Sequence, residues 1–281
     1  MLSLALAILY ALFLWWVSTG IILFLNRLAP STYRWSLLGG TVLGGVSVAG
    51  AIWSSDRADI LGAYLGFTSG VLIWGWLEMT YFMNAITGPS KAHCPRNVHG
   101  RRRFWLAIQT SLYHELAVVA VGLLLFALCW GHVNQTAAWT FAVLWWMRWS
   151  AKLNLFFGVP NLNEDWLPSH LRFLTSYLAK RPMNLLFPMS VTVATVVMAL
   201  LVEHALDFPP GSFTAQAAVL AASLLALAIL EHWFLVLPVA DAALWDWAFE
   251  PSPTEAPADV SAEAPDGSSG KKRPDSSVSS R

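Results

Sequence analysis

The sequence predicts an all-α integral membrane protein, a polytopic helical bundle of about seven transmembrane helices. Of the 281 residues, 56% are hydrophobic and 12% are charged, whereas a soluble domain carries roughly 25% charged residues. Several apolar stretches are long enough to cross a bilayer, since a spanning helix needs about 20 such residues. The formal net charge is zero, so no overall field favours nucleic acid and we expect none as a partner.

The apolar stretches and the basic residues between them give the order and orientation of the spans. The third loop holds five Lys or Arg residues and the fifth holds three, whereas the fourth and sixth hold none. By the positive-inside rule, the N-terminus lies outside and the C-terminus is cytoplasmic. The predicted spans cover about residues 2–25, 35–53, 61–87, 104–129, 138–157, 186–206 and 214–240.

Composition also divides the chain into two parts. Residues 1–249 form the predicted transmembrane helical domain, and residues 250–281 have almost no apolar content and are predicted to be a disordered cytoplasmic tail. Within the domain, glycines spaced by four recur in the second and third spans, at Gly40 and Gly44 and at Gly62, Gly66 and Gly70. Small residues at this spacing let helix backbones approach closely, so we expect these two spans to pack at those faces.

Ionisable residues inside the apolar stretches are the candidate site. Glu78, Glu115 and Glu231 lie in spans, and His114 and His232 are neighbours of two of them. Such residues are costly in lipid unless they face a bundle interior, so each marks a functional candidate. The helical rise of about 1.5 Å per residue puts all five at a similar depth. A polar network with three further residues is expected: Arg148, Lys152 and Asn154.

Three interpretations of these residues stay open, and no catalytic residue is identified. In the first, Arg148 neutralises one or two carboxylates in a structural network, since buried charges are normally paired. In the second, the carboxylates and imidazoles bind iron, as in di-iron helical bundles, although the Glu-x-x-His spacing of those sites is absent. In the third, the neutral imidazole of His114 or His232 ligates the central magnesium of a chlorophyll-type ring.

Two of the predicted cytoplasmic loops are candidates for contacts with other molecules. Three arginines at 101–103 precede the fourth span and suit anionic lipid headgroups. In the fifth loop, leucines recur at helical spacing between residues 167 and 178, which predicts an amphipathic helix on the membrane surface. The partner-binding candidates of this loop are Asn161, Glu164, His170 and Arg172.

Eight stretches together resemble the PuhE family, the photosynthetic complex assembly protein 2 of purple and related phototrophic bacteria. They cover most of the chain before residue 250, and they are specific only as a set. The matching stretches are WGWLE at 74–78, TGP at 87–89, YHEL at 113–116, WWMRWSAKLN at 145–154, FGVPNL at 157–162, PSHL at 168–171, LFP at 186–188 and LEHWFLVLP at 230–238.

The resemblance implies a role in assembling the photosynthetic reaction centre and core antenna, or in modulating bacteriochlorophyll supply to them. It implies reaction-centre or light-harvesting subunits or pigment-synthesis enzymes as partners, and a place in the bacterial cytoplasmic membrane, inner or intracytoplasmic. Bacteriochlorophyll or a precursor is the implied cofactor, with iron less favoured. The leading hypothesis is therefore a non-enzymatic factor; the alternative is a membrane metalloenzyme of tetrapyrrole or lipid metabolism.

Overall fold

The apolar part of the chain folds almost entirely into α-helices. A computed structural model describes residues 2–162 and 167–237. In these two ranges there is no strand, and one isolated bridge pairs Val159 with Lys180. The helices are α1 (Leu2–Arg27), α2 (Tyr33–Ser55), α3 (Ile60–Phe82), α4 (Gly100–Gln109), α5 (Leu112–Cys129), α6 (Thr136–Phe157), α7 (Leu186–Leu206) and α8 (Phe213–Phe234).

In the described residues, six helical segments are long and apolar enough to cross a membrane. They are α1, the segment Pro30–Ser55 that includes α2, and helices α3, α5, α7 and α8. Helix α6 also has 22 residues, but Arg148, Lys152 and Asn154 make it less apolar. It is nevertheless surrounded by protein, since it packs against α3, α5, α7 and α8. The predicted all-α polytopic bundle is therefore confirmed, whereas the orientation of the bundle in a membrane stays a prediction.

Local sequence signals set the ends of two central helices. The Asp59 carboxylate accepts a hydrogen bond from the backbone N–H of Gly62 and caps the start of α3, and the Ser212 hydroxyl caps α8 in the same way. Helix α3 ends at Phe82, and Asn84 follows with a φ of 61°, a left-handed conformation that Asn adopts at helix ends. The predicted third span, 61–87, was therefore too long.

The predicted fourth span, 104–129, was wrong as a single helix. The structure breaks it after Gln109 into the amphipathic α4 and the apolar α5. The break is occupied by the third loop: a Cβ on Gly88 would lie 2.1 Å from the carbonyl oxygen of Gln109, and the backbone N–H of His114 donates to the carbonyl of Thr87 over 2.9 Å. A contact between distant parts of the chain, rather than the local sequence, ends α4.

Gly44 of α2 packs against α3 as predicted, whereas Gly66 and Gly70 of α3 pack against another helix. Gly44 of α2 faces Trp76 of α3, whose ring would lie 3.3 Å from an added Cβ. Gly66 and Gly70 of α3, however, face α6: a Cβ on Gly70 would lie 2.8 Å from the Cβ of Thr140. Gly66 and Gly70 therefore allow α3 to approach α6 closely, and α6 carries the ionisable residues Arg148 and Lys152.

The fifth loop forms a 3₁₀ helix at Ser169–Tyr177 instead of the predicted amphipathic α-helix. Leu171, Leu174 and Tyr177 recur every third residue and share one side of such a helix. Leu171 and Tyr177 pack with Tyr81 at the end of α3. Glu164 and the predicted tail, 250–281, lie outside the described residues.

Candidate functional site

Two ion pairs connect α6 to its neighbours at the level of the predicted site. The Arg148 guanidinium donates through Nη2 to Oε2 of Glu78 on α3 over 2.9 Å. The Lys152 ammonium donates to Oε1 of Glu115 on α5. Arg148 and Lys152 are four residues apart and lie on the same face of α6. Four of the predicted residues are therefore brought together in two pairs that hold α3, α5 and α6.

Burial explains why these charges are paired. Glu78 is 8% exposed, and a carboxylate removed from water is tolerated when a cation and hydrogen bonds compensate it. Glu115 also lies in the first turn of α5, where the positive end of the helix dipole favours a negative charge. This second source of stabilisation could not be predicted, because it depends on the break between α4 and α5.

His114 lies against the same cluster but is held there by packing. His114 is 1% exposed, and its ring lies against the ring of Tyr81, with the two centroids 4.8 Å apart. Its Nε2 is 3.9 Å from Oε1 of Glu78, which is too far for a hydrogen bond. Among the described residues, neither Nδ1 of His114 nor Oε1 of Glu78 has a hydrogen-bond partner.

The other two predicted candidates, Glu231 and His232, have hydrogen-bond partners on α1, α6 and α8. His232 donates through Nδ1 to the carbonyl of Ala228, and its Nε2 lies 2.8 Å from Oγ of Ser150. Since a carbonyl can only accept, Nε2 is the accepting nitrogen and the Ser150 hydroxyl donates to it. Glu231 accepts from Nε1 of Trp15 on α1 over 3.1 Å. Equal depth did not fix the direction in which each side chain points.

Asn154, predicted to join the Glu78 network, lies on the α7 side of α6. Its Nδ2 donates to the Ser150 carbonyl and to Oγ of Ser190, and its own carbonyl accepts from the Asn184 amide. Asn154 therefore links α6 to α7 and is fully buried. Together with His232, it forms a second polar region of the bundle, separate from the two ion pairs.

The described residues do not fit a di-iron centre or an axial ligand for a chlorophyll-type ring. In residues 2–162 and 167–237, no three or more His, Cys, Asp or Glu side chains are close enough to hold a metal ion. Glu78 and Glu115 each hold a cationic side chain instead. Both ring nitrogens of His232 have partners, and His114 is too buried for a macrocycle to reach it.

A cavity of about 200 Å³ lies beside the two ion pairs. Its wall is formed by the end of α3, by α4, by α6 and by the 3₁₀ helix Ser169–Tyr177. Glu115, Arg148 and Lys152 form one part of the lining, and the rest is mainly aromatic and aliphatic. Sequence reasoning missed this cavity, because two of its walls depend on the helix break and on the folded fifth loop.

The partner-binding candidates of the fifth loop are mostly used within the protein. The Asn161 amide donates to the carbonyls of Phe234, the last residue of α8, and of Leu237. His170 donates through Nε2 to the carbonyl of Phe82 at the end of α3, and burial lowers the pKa of its imidazole. Arg172 is exposed. Of the described candidates in this loop, Arg172 is the one available to another molecule.

Comparisons with known proteins show a family. The family model described as "Protein of unknown function (DUF3623)" matches residues 1–256, and the chain belongs to this family. A Rhodobacter capsulatus protein described as "Uncharacterized 30.4 kDa protein in puhA 5'region" is 40% identical over 260 residues, which cover 90% of this chain and 92% of that protein. No solved structure matches the chain.

Proposed function

We propose that this protein is an integral membrane factor for assembly of the photosynthetic reaction centre and core antenna, acting on the complexes or on the supply of bacteriochlorophyll to them. The observation that carries the proposal is the similarity, along almost the whole of both chains, to a protein described by its position in the puhA 5' region. The resemblance of eight sequence stretches to the PuhE family supports the same role.

The geometry of the polar cluster favours a binding factor over an enzyme. Glu78 and Glu115 are each paired with a cation, so neither is a free general base. The metalloenzyme alternative requires a set of metal ligands, and no group of three His, Cys, Asp or Glu side chains was found in the described parts of the chain. Paired charges that connect three helices instead suit a scaffold that holds a binding cavity in a fixed shape.

The loops next to the cavity supply the surface for membrane lipid and protein partners. Arg101 and Arg102 on α4 and Arg172 in the fifth loop are exposed. Trp105, also on α4, is 55% exposed, and tryptophan suits the interface between lipid and water. We propose that this basic surface contacts anionic lipid headgroups and acidic segments of assembling subunits or of pigment-synthesis enzymes.

Capture of partners during assembly tests the proposal. The full-length chain, carrying an affinity tag, is isolated in mild detergent from a phototrophic host shortly after induction of photosynthetic growth. Reaction-centre, core-antenna and pigment-synthesis proteins are then quantified with specific antibodies. A tagged membrane protein of unrelated family and equal abundance is the control.

Enrichment of reaction-centre or core-antenna subunits over the control supports action on the complexes, and enrichment of pigment-synthesis enzymes supports action on pigment supply. Enrichment should be highest early in induction, because an assembly factor leaves finished complexes. Equal recovery of all these proteins with the tagged chain and with the control, including after chemical crosslinking, would overturn the proposal.

A further inference from the structure

We infer that the cavity beside the ion pairs binds the apolar chain of an amphiphile, whose carboxylate or ester head is held by Arg148 and Lys152. The ligand class is therefore a single long chain that ends in a group with acceptor oxygens. This inference deepens the proposed function, and it rests on that function only for the identity of the natural ligand.

The apolar walls come from four separate elements. Phe82 ends α3, Phe104 belongs to α4, Phe156 to α6 and Leu174 to the 3₁₀ helix, and all four line the cavity. The volume, about 200 Å³, is below the range of roughly 300–1,000 Å³ that is common for sites of drug-sized ligands. The enclosed space is therefore too small for a tetrapyrrole macrocycle, whereas a segment of a methylene or isoprenoid chain can enter it.

The polar part of the cavity has unused hydrogen-bond donors. In the described structure, Arg148 donates one hydrogen bond to another side chain, although a guanidinium has five N–H groups. Within the described residues, Lys152 similarly donates to Glu115 alone. The Arg148 and Lys152 side chains are 30% and 24% exposed, and both line the cavity, so acceptor atoms of a ligand can reach them.

The charge balance of the cluster limits the head group. Glu78 and Glu115 compensate Arg148 and Lys152 one to one, so these four side chains have no net charge. A head with two or more negative charges would remain uncompensated in a poorly solvated place, which is costly. An ester can accept the unused N–H groups without that penalty, and a single carboxylate adds one uncompensated charge rather than several. This argument excludes a diphosphate as the preferred head.

One hydrogen-bonded contact holds two walls of the cavity together. Arg103 on α4 donates through Nη2 to the carbonyls of Tyr177 and Leu178 at the end of the 3₁₀ helix, over 2.8 and 3.1 Å. Its guanidinium also lies over the ring of Phe156 on α6. The cavity is therefore bounded by elements that are fixed to one another, which favours a preformed binding site.

Binding of defined probes to the purified full-length chain tests the inference. The delipidated protein in detergent is titrated with radiolabelled palmitate, with methyl palmitate and with farnesyl diphosphate. We expect saturable binding of palmitate or methyl palmitate at one molecule per chain, and weaker binding of the diphosphate. Tighter palmitate binding would indicate a free carboxylic acid as the source, and tighter methyl palmitate binding would indicate an ester.

A variant that fills the cavity and its matched control locate the site. Ala107 of α4 lines the cavity, whereas Ala120 of α5 is exposed on the outside of the bundle. Ala107→Trp should weaken probe binding by at least about tenfold, which corresponds to about 1.4 kcal/mol, and Ala120→Trp should leave it unchanged. Neither substitution replaces a member of the ion pairs, and thermal unfolding in detergent verifies that both variants are folded.

The outcomes separate this inference from the proposed function. The cavity is overturned as a chain-binding site if neither palmitate nor methyl palmitate binds saturably. It is also overturned if the two tryptophan substitutions have an equal effect on binding. Partner capture is independent of that result. If Ala107→Trp loses probe binding but still captures reaction-centre subunits as the wild type does, the site stands and its ligand is not needed for partner binding.

Discussion

Nη2 of Arg148 on α6 lies 2.9 Å from Oε2 of Glu78 on α3, and one helical turn further along α6 the Lys152 ammonium reaches Glu115 on α5. The first pair joins two helices that the glycines of α3 already bring close. The second pair connects α6 to α5. Helix α5 starts where it does because the third loop packs into the break after α4. The two pairs therefore fix three helices around one wall of the cavity.

Loss of one member of the Glu78–Arg148 pair should destabilise the bundle. Glu78→Leu leaves the Arg148 cation without its carboxylate, and removal of one partner of a buried pair costs roughly 3–5 kcal/mol. We expect a lower midpoint of thermal unfolding in detergent and a lower yield in membranes. The double variant Glu78→Leu with Arg148→Met removes both charges and should recover most of the stability. A single variant as stable as the wild type would contradict the paired geometry.

Gly88 should be intolerant of any side chain. Its Cβ would lie 2.1 Å from the Gln109 carbonyl oxygen, a backbone atom that cannot move aside alone, and such overpacking costs roughly 1–3 kcal/mol or more. We expect Gly88→Ala to lower the unfolding midpoint. Gly39→Ala on α2 is the control, because no atom lies within 4 Å of an added Cβ there. Equal behaviour of the two variants would show that the third loop does not pack into the α4–α5 break.

His170 should make the attachment of the fifth loop dependent on pH. Burial lowers the pKa of its imidazole below the ordinary value of 6.5, so the folded protein favours the neutral imidazole. The stabilisation is present above pH 6.5 and is lost as the pH falls towards the lower folded pKa. The stability advantage of the wild type over His170→Gln should therefore shrink on acidification, and an advantage that grows on acidification would disprove this assignment.

Neither His114 nor His232 should serve as a pigment ligand. Nε2 of His232 accepts from the Ser150 hydroxyl, and His114 is buried against Tyr81. An absorption spectrum from the visible to the near-infrared, taken on protein purified from a phototrophic host, should show no bacteriochlorophyll band that depends on His232. A pigment band at fixed stoichiometry in the wild type, lost in His232→Leu, would contradict the structure.

The sequence was sufficient for features that depend on local composition. Apolar runs predicted the long helices, and the similar depth of Glu78 and Arg148 predicted a polar network around them. It was not sufficient where distant contacts decide the conformation. The break before α5 depends on Gly88, and His232 points to Ser150 because of the rotation of α8, which depth along a helix does not define. The cavity depends on the break before α5 and on the folded fifth loop, and so had no local signal.

The most direct test of the assembly role is the near-infrared absorption spectrum of membranes from a phototrophic strain in which the gene for this protein is deleted. The account predicts lower reaction-centre and core-antenna absorption per amount of membrane protein, restored by the wild-type gene supplied in trans. Unchanged total bacteriochlorophyll precursor pools would then indicate action on the complexes, and altered pools would indicate action on pigment supply. Normal amounts of both complexes in the deletion strain would contradict the account.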